Sequence, residues 1–202
     1  VEKPGLTNGV WTGLSADYTP ADLDCAAWSL GRDRTGPTEI REVSGTFPDD
    51  PLWNTPETFH FELQYEDAAP VLVGTDLPFG VRWEGDDGWI EASRKELKTS
   101  REDLFAKLGP RDNTGEAGND IKAHFRGFID SVLSREDPNT PIEVGHRSAT
   151  LCHLANIALR LGRDTLRWDP VAETFPDDAG ARDLLREPYH SPWEHPEVPE
   201  RG

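Results

Sequence analysis

The 202 residues carry 38 acidic against 21 basic side chains, a formal net charge of -17, and a surface of that sign repels phosphate backbones and anionic headgroups, which excludes nucleic acid and anionic membranes as natural partners. Seven Trp, eight Phe and 35% hydrophobic residues supply the core of one good-sized domain, and no run approaches the roughly 18 to 20 apolar residues that a membrane span needs. Cys25 and Cys152, far apart and outside any C-x-x-C, exclude a disulfide framework and read as small buried hydrophobes.

Taken in chain order, residues 1–20 are rich in Gly, Thr and Pro, show no period, and read as an irregular segment. Residues 21–170 read as the folded body and residues 171–202 as an extended, Pro-rich tail packing on it or trailing from it. Asp22 to Leu30 suits a short helix stopped by Gly31. The period then changes to two: Phe59, Phe61, Leu63 and Tyr65 alternate with His60, Glu62 and Gln64. Further strands are expected over Glu39–Phe47, Val71–Thr75, Val81–Glu84 and Trp89–Ser93, the last two joined by the turn Gly85-Asp86-Asp87-Gly88. Short strands with short connections predict an antiparallel meander. Its open face, if apolar, would be the surface on which copies of the chain associate.

A short helix is expected near Arg101 to Leu108. Ile121, Phe125, Phe128, Ile129 and Val132 fall at helical spacing and predict an amphipathic helix lying on the sheet. Thr140-Pro141-Ile142-Glu143 has the form of a capping box with Pro at the first helical position, and the apolar run after it ends at Gly162. The fold class expected is α+β, a mostly antiparallel sheet with two or three helices packed on one face.

Residues 145–158, Gly-His-Arg-Ser-Ala-Thr-Leu-Cys-His-Leu-Ala-Asn-Ile-Ala, followed by Leu161-Gly162-Arg163 and Leu166-Arg167-Trp168-Asp169-Pro170, resemble the closing helix and strand of one bacterial branch of the Gfo/Idh/MocA oxidoreductase family. Gly80-Val81-Arg82-Trp83-Glu84-Gly85 with Gly88-Trp89-Ile90, and His124-Phe125-Arg126-Gly127-Phe128-Ile129-Asp130, are similar to the same branch, so the likeness runs from about Asp17 to Trp193. In that family a Rossmann domain binds NAD or NADP, and a second, sheet-based domain holds a sugar- or polyol-like substrate and builds the oligomer. The resemblance places this chain in the second domain. No G-x-G occurs anywhere in it, so it has no glycine turn to admit a pyrophosphate at a helix start, and no cofactor is expected on this chain alone.

The resemblance also places the family's Asp-x-Gly-x-His-x-x-Asp segment on Asp17-Tyr18-Thr19-Pro20-Ala21-Asp22-Leu23-Asp24. Asp17 and Asp24 keep the two carboxylates, Thr19 replaces the Gly and Ala21 replaces the His that moves the proton. Alanine carries no proton, and Asp22 next to it is the alternative base. Glu2-Lys3-Pro4 has the letters of the family's Glu-Lys-Pro motif, which would put Lys3 near the nicotinamide, but only a short stretch separates it from Asp17.

With Val1 at its start and no Met anywhere, the chain reads either as a shortened, noncatalytic family member or as the C-terminal part of an active dehydrogenase. A structural dimerisation module without ligand is the third reading. The setting expected is soluble, cytoplasmic before any other compartment.

His146 and His153, seven residues apart on one helix face, are candidates for a shared ligand or an interface, as is His124 on the preceding helix. No metal site is expected, since no third ligand stands at a recognised spacing. Trp11, Trp53, Trp83 and Trp89 suit either the core or a carbohydrate platform. His190 and His195 in the tail carry no signal.

Overall fold

A computed structural model of the chain describes residues 9–13, 19–49, 56–93, 96–107 and 121–186, with the backbone alone at 9–13, 19–20 and a few helix positions. Asp17, Lys3, Trp53, His190, His195 and the tail beyond residue 186 lie outside the described residues, as does the Trp11 side chain.

The elements form one sheet with helices. The strands are β1 (Gly9–Gly13), β2 (Glu39–Thr46), β3 (Thr58–Gln64), β4 (Val71–Gly74), β5 (Gly80–Gly85), β6 (Gly88–Ala92), β7 (Leu97–Thr99) and β8 (Leu166–Arg167). The helices are α1 (Thr19–Leu30), α2 (Glu102–Lys107), α3 (Ile121–Ser134), α4 (Ile142–Leu161) and α5 (Ala179–Asp183). Strand order is β7-β6-β5-β1-β4-β3-β2-β8. Every pairing is antiparallel except β1 with β4, which is parallel.

The α+β class and the antiparallel character follow the alternation in the sequence, but the simple meander does not. β1, from the segment expected to be irregular, enters between β4 and β5 and pairs with both. Five residues bounded by glycines carry no readable period, and their partners lie about sixty to seventy residues downstream in the chain, so only long-range pairing makes them a strand.

On β3 the alternation sets the layers. Phe61 and Leu63 point into the core at 1% and 0% exposure. In register with them are Ile40 opposite Leu63, Val73 opposite Phe61, and Val71 opposite Leu63. This side is covered by α1, through Leu23, Ala26 and Ala27, and by α4, through Leu151, Leu154, Ile157 and Ala158. Each large aliphatic or aromatic group buried this way contributes about 1.5–3 kcal/mol. Gly45 lets α4 come down on β2, since an added Cβ there would stand 2.6 Å from the Thr58 carbonyl and 2.9 Å from Leu159 Cδ2. A bulge at Glu42 (φ 55°) and Val43 breaks the β2–β3 register and frees the Val43 N–H to donate to the Asp164 carbonyl at 3.1 Å.

Among the described residues the opposite sheet face carries cross-strand ion pairs. Arg41 pairs with Glu62 at 2.7 Å across β2 and β3, and Arg82 pairs with Glu84 while reaching Glu91 on β6. Lys98 on β7 also meets Glu91, at 3.7 Å. The Arg82 guanidinium lies 4.3 Å from the Trp89 ring centroid.

Four further expectations are corrected. α3 forms as its spacing predicts, yet Phe125, Phe128 and Leu133 are 59%, 63% and 76% exposed, because α1 and α4 already cover the helix side of the sheet. Pro141 is the N-cap of α4, with no side-chain cap bond. Glu143 instead accepts from Arg147 Nε at 2.8 Å, so the capping-box letters serve a side-chain pair. Residues 169–186 pack on the body and are not simply extended: Phe175 is fully buried edge-on against Trp168, with ring centroids 4.9 Å apart, and the helix α5 buries Ala181. Cys152 is half-buried and packs against the core, whereas Cys25 on α1 is exposed.

Gly162 ends α4 in the left-handed region (φ 59°, ψ 37°), while Gly145 sits inside the helix with open space around its Cβ position. The same substitution therefore has opposite signs at the two sites. In urea unfolding, Gly162→Ala should lower stability by about 1 kcal/mol through left-handed strain, and Gly145→Ala should raise it by about 0.5–1 kcal/mol through helix propensity. Equal shifts would contradict the assigned end of α4.

Candidate functional site

The first turns of α1 lie against the N-terminal half of α4, and this junction carries the sequence-predicted carboxylates. Leu23, Ala26 and Ala27 anchor α1 in the core, which fixes the directions of Ala21, Asp22, Asp24 and Cys25 around them. Ser148 of α4, only 7% exposed, donates its hydroxyl to Asp24 Oδ1 at 2.6 Å, with the Val144 carbonyl at 3.1 Å as the competing acceptor. The shorter contact to a charged acceptor is the stronger one. Asp24 is thereby a positioned carboxylate, oriented by a side chain 124 residues away. Asp22 is half-buried, with Oδ2 out of solvent. Ala21 is exposed on the same turn. Burial, then the Asp24 and Asp22 carboxylates, pushes the Cys25 thiol up from its ordinary value.

His146 and His153 face a groove of about 880 Å³ between α4 and residues 172–186, where Thr150, Asn156, Arg160 and Arg182 also stand. They share this wall, as their spacing predicts, but their surroundings are those of a clasp. His146 Nε2 lies 2.9 Å from Glu173 Oε1, and Arg147 reaches the same oxygen at 3.0 Å while donating to the Pro170 carbonyl at 2.9 Å. Asp169 Oδ1 accepts the N–H groups of Val171 and Ala172, which closes the turn and holds its carboxyl below the usual range. Further on, Arg163 pairs with Asp178, which caps α5 through the Ala181 N–H, and Arg167 pairs with Asp177. The motif residues that carried the family resemblance thus tie the C-terminal segment to α4.

His124 stands on the exposed face of α3, apart from both groups. Trp83 is half-buried and donates to Ser29 Oγ at 2.7 Å, a packing role, while Trp89 lies under Arg82 on the polar sheet face. Two partners escaped sequence reasoning. Ser148 had no motif around it, and only the crossing of α1 on α4 brings it to Asp24. His60, read simply as one wet position in an alternation, lies 3.3 Å from Asp76 on the open face and holds that carboxyl below its ordinary value.

Among the described residues no three of His, Cys, Asp and Glu come together to hold a metal ion, and no helix is long and apolar enough to cross a membrane. The starts of α4 and α5 do not fit a dinucleotide. At the start of α4, Pro141 has no backbone N–H and Glu143 sets a carboxylate beside the first turn, and at α5 Asp178 accepts the Ala181 N–H, so neither start offers the glycine-flanked N–H groups that hold a pyrophosphate.

No curated protein matches the sequence. Among solved structures, aldose-aldose oxidoreductase from Caulobacter crescentus, complexed with glycerol, shares the fold with a TM-score of 0.55 at 15% identity, over 82% of this chain. The chain spans 56% of that protein's length. A family model described as "Oxidoreductase family, C-terminal alpha/beta domain" matches residues 9–195, a span that includes every element from β1 to α5. The chain belongs to the Gfo/Idh/MocA oxidoreductase family, as its C-terminal α/β domain.

Proposed function

We propose that this chain is the substrate-side domain of an NAD(P)-dependent oxidoreductase, holding a sugar- or polyol-like molecule at the start of α1 and inactive without a nucleotide-binding domain. The observation that carries the reading is the α1–α4 junction: Asp24 is oriented by Ser148, and Asp22 and Ala21 stand on the same turn. A carboxylate held on two packed helices is pre-organised to accept a substrate hydroxyl. Ala21 occupies the position that the family resemblance gives to the proton-transferring His, so the junction retains binding groups and lacks the acid/base. The open sheet face is the surface on which copies would meet. Its cross-strand ion pairs make such a contact polar and weaker at high salt.

Calorimetric titration of the chain with NAD(H) or NADP(H) should give no binding tighter than about 100 μM, the affinity worth roughly -5.5 kcal/mol. A tighter constant would overturn the assignment of nucleotide binding to another domain.

Joined to the nucleotide-binding domain of a related enzyme, the chain should oxidise polyols poorly, and Ala21→His with Thr19→Gly should raise nicotinamide reduction at least about tenfold, since a positioned acid/base contributes about 10² to 10⁴ in rate. A chimera active without the change, and lost in Asp22→Asn, would make Asp22 the base.

The junction's charge is readable at Cys25. Its thiol stays protonated beyond the usual range, so its alkylation by iodoacetamide should rise only on the alkaline side, and Asp24→Asn, by removing a like charge from the thiolate, should move that profile to lower pH. Cys152, pushed up to about 11 by burial, stays silent below that pH. An unmoved profile would show that Asp24 is not charged beside Cys25.

A further inference from the structure

We propose that α3 is an association surface whose partner is the α3 of a second copy of this chain, laid antiparallel to it across a two-fold axis. Phe125, Phe128, Ile129, Val132 and Leu133 stand at i, i+3, i+4, i+7 and i+8, one continuous apolar stripe along the helix. They are 59%, 63%, 48%, 44% and 76% exposed. The other described residues from Lys122 to Ser134 are exposed as well, except the half-buried Ser131. The body of the domain leaves the stripe in water, and the proposal does not rest on the function assigned to the α1–α4 junction.

The helix draws little support from its own sequence. Its 14 residues are close to the length at which a lone helix is marginal in water. Gly127 weakens its interior, and open space around the Cβ position there shows no close contact that calls for a glycine. Lys122 stands in the first turn, which has no acidic residue, and the last turn has no basic one, so the charges run against the helix dipole. Packing of the stripe has to supply what the sequence lacks.

Area and charge select a second copy as the cover. With full side-chain areas of about 150–250 Å² for an aromatic residue, the exposed part of the stripe comes to roughly 500 Å², near the most that a monomer leaves in water. A two-fold contact covers it on both copies and removes roughly 1,000 Å², the size at which specific interfaces begin. On a chain of net charge -17, α3 carries two cations, Lys122 and Arg126, against one carboxylate, Asp130, so two copies meet here without setting acid against acid. Arg126 pairs with Asp130 inside the helix at 3.2 Å. Both cations lie in the N-terminal half, while Arg135, Glu136 and Asp137 follow the C-terminal end. With the axis at Ile129, the middle of the stripe, an antiparallel partner sets Phe125 over Leu133 and brings Lys122 level with Glu136. The two helix dipoles then oppose each other.

Sedimentation equilibrium of the whole chain between about 1 and 500 μM should show a reversible dimer with a micromolar dissociation constant. The dimer should persist in about 1 M NaCl, where charge contacts are screened. Phe128→Glu puts a carboxylate into the seam of both copies and should raise the dissociation constant at least about a hundredfold. Gly127→Glu adds the same charge on the far side of the helix and should leave the dimer in place. Lys122→Glu and Glu136→Lys should each weaken it at low salt and together restore it. At concentrations where the chain is monomeric, Phe128→Glu should unfold at the parent midpoint, and if it does not, Leu133→Glu takes its place. The proposal is overturned if the chain sediments as a monomer throughout, in which case α3 belongs to another partner, such as a nucleotide-binding domain. It is equally overturned if the dimer dissolves in high salt and ignores Phe128→Glu, the behaviour of a contact on the sheet face. Equal weakening by Gly127→Glu and Phe128→Glu, or a double charge variant as weak as the single ones, also overturns it.

Discussion

The apolar stripe of α4 governs the rest of the structure. Val144, Leu151, Leu154, Ile157 and Ala158 have to be taken out of water together, and one flat sheet face covers them only if α4 lies close along β2 and α1 fills the adjoining strip. Gly45 makes that approach possible. Once α4 is set, Ser148 on its buried side has nowhere to send its hydroxyl except its own helix or the facing α1, and Asp24 is the acceptor that α1 presents. The candidate site is therefore a consequence of helix packing: the group that orients Asp24 is there because a buried polar atom needs a partner.

The outer side of α4 has a different task. His146 and Arg147 turn toward the Asp169–Thr174 turn, and Arg163 and Arg167 reach the residues that lead into α5. Exposed pairs of this kind contribute little singly. Arg147 is the exception, being 15% exposed and serving Glu143, Glu173 and the Pro170 carbonyl at once. With that turn in place, Phe175 and Trp168 close the end of the core. A motif that looks like chemistry, Gly-His-Arg-Ser-Ala, divides its work by helix face: Ser148 inward to the carboxylate, Arg147 and His146 outward to the clasp.

The two sheet faces divide the molecule again. One is sealed by α1 and α4. The other carries a lattice of Arg, Lys and Glu in which each cation has a carboxylate neighbour across a strand, an arrangement that tolerates water and discourages unspecific strand pairing at the edges.

Much of this was legible in the sequence wherever a local pattern carries its own physical cause. The period-two alternation around Phe61 and Leu63, the turn at residues 85–88, and the stop at Gly162 depend on neighbours within a few residues, and the structure agrees with each. The family's motif letters likewise fixed the domain type. What no local pattern could reveal are the long-range pairings. β1 is a strand only because β4 and β5 leave a gap for it. α3 is amphipathic yet stays exposed, because amphipathicity states that a face is apolar and says nothing of which surface is left to cover it. Residues 169–186 are Pro-rich and still pack, since Phe175 finds Trp168 and four arginines find their acceptors. Asp24 was named from its motif position, but Ser148, which orients it, was set by tertiary structure alone, because hydrogen-bond satisfaction is a property of packed neighbours and not of residue order.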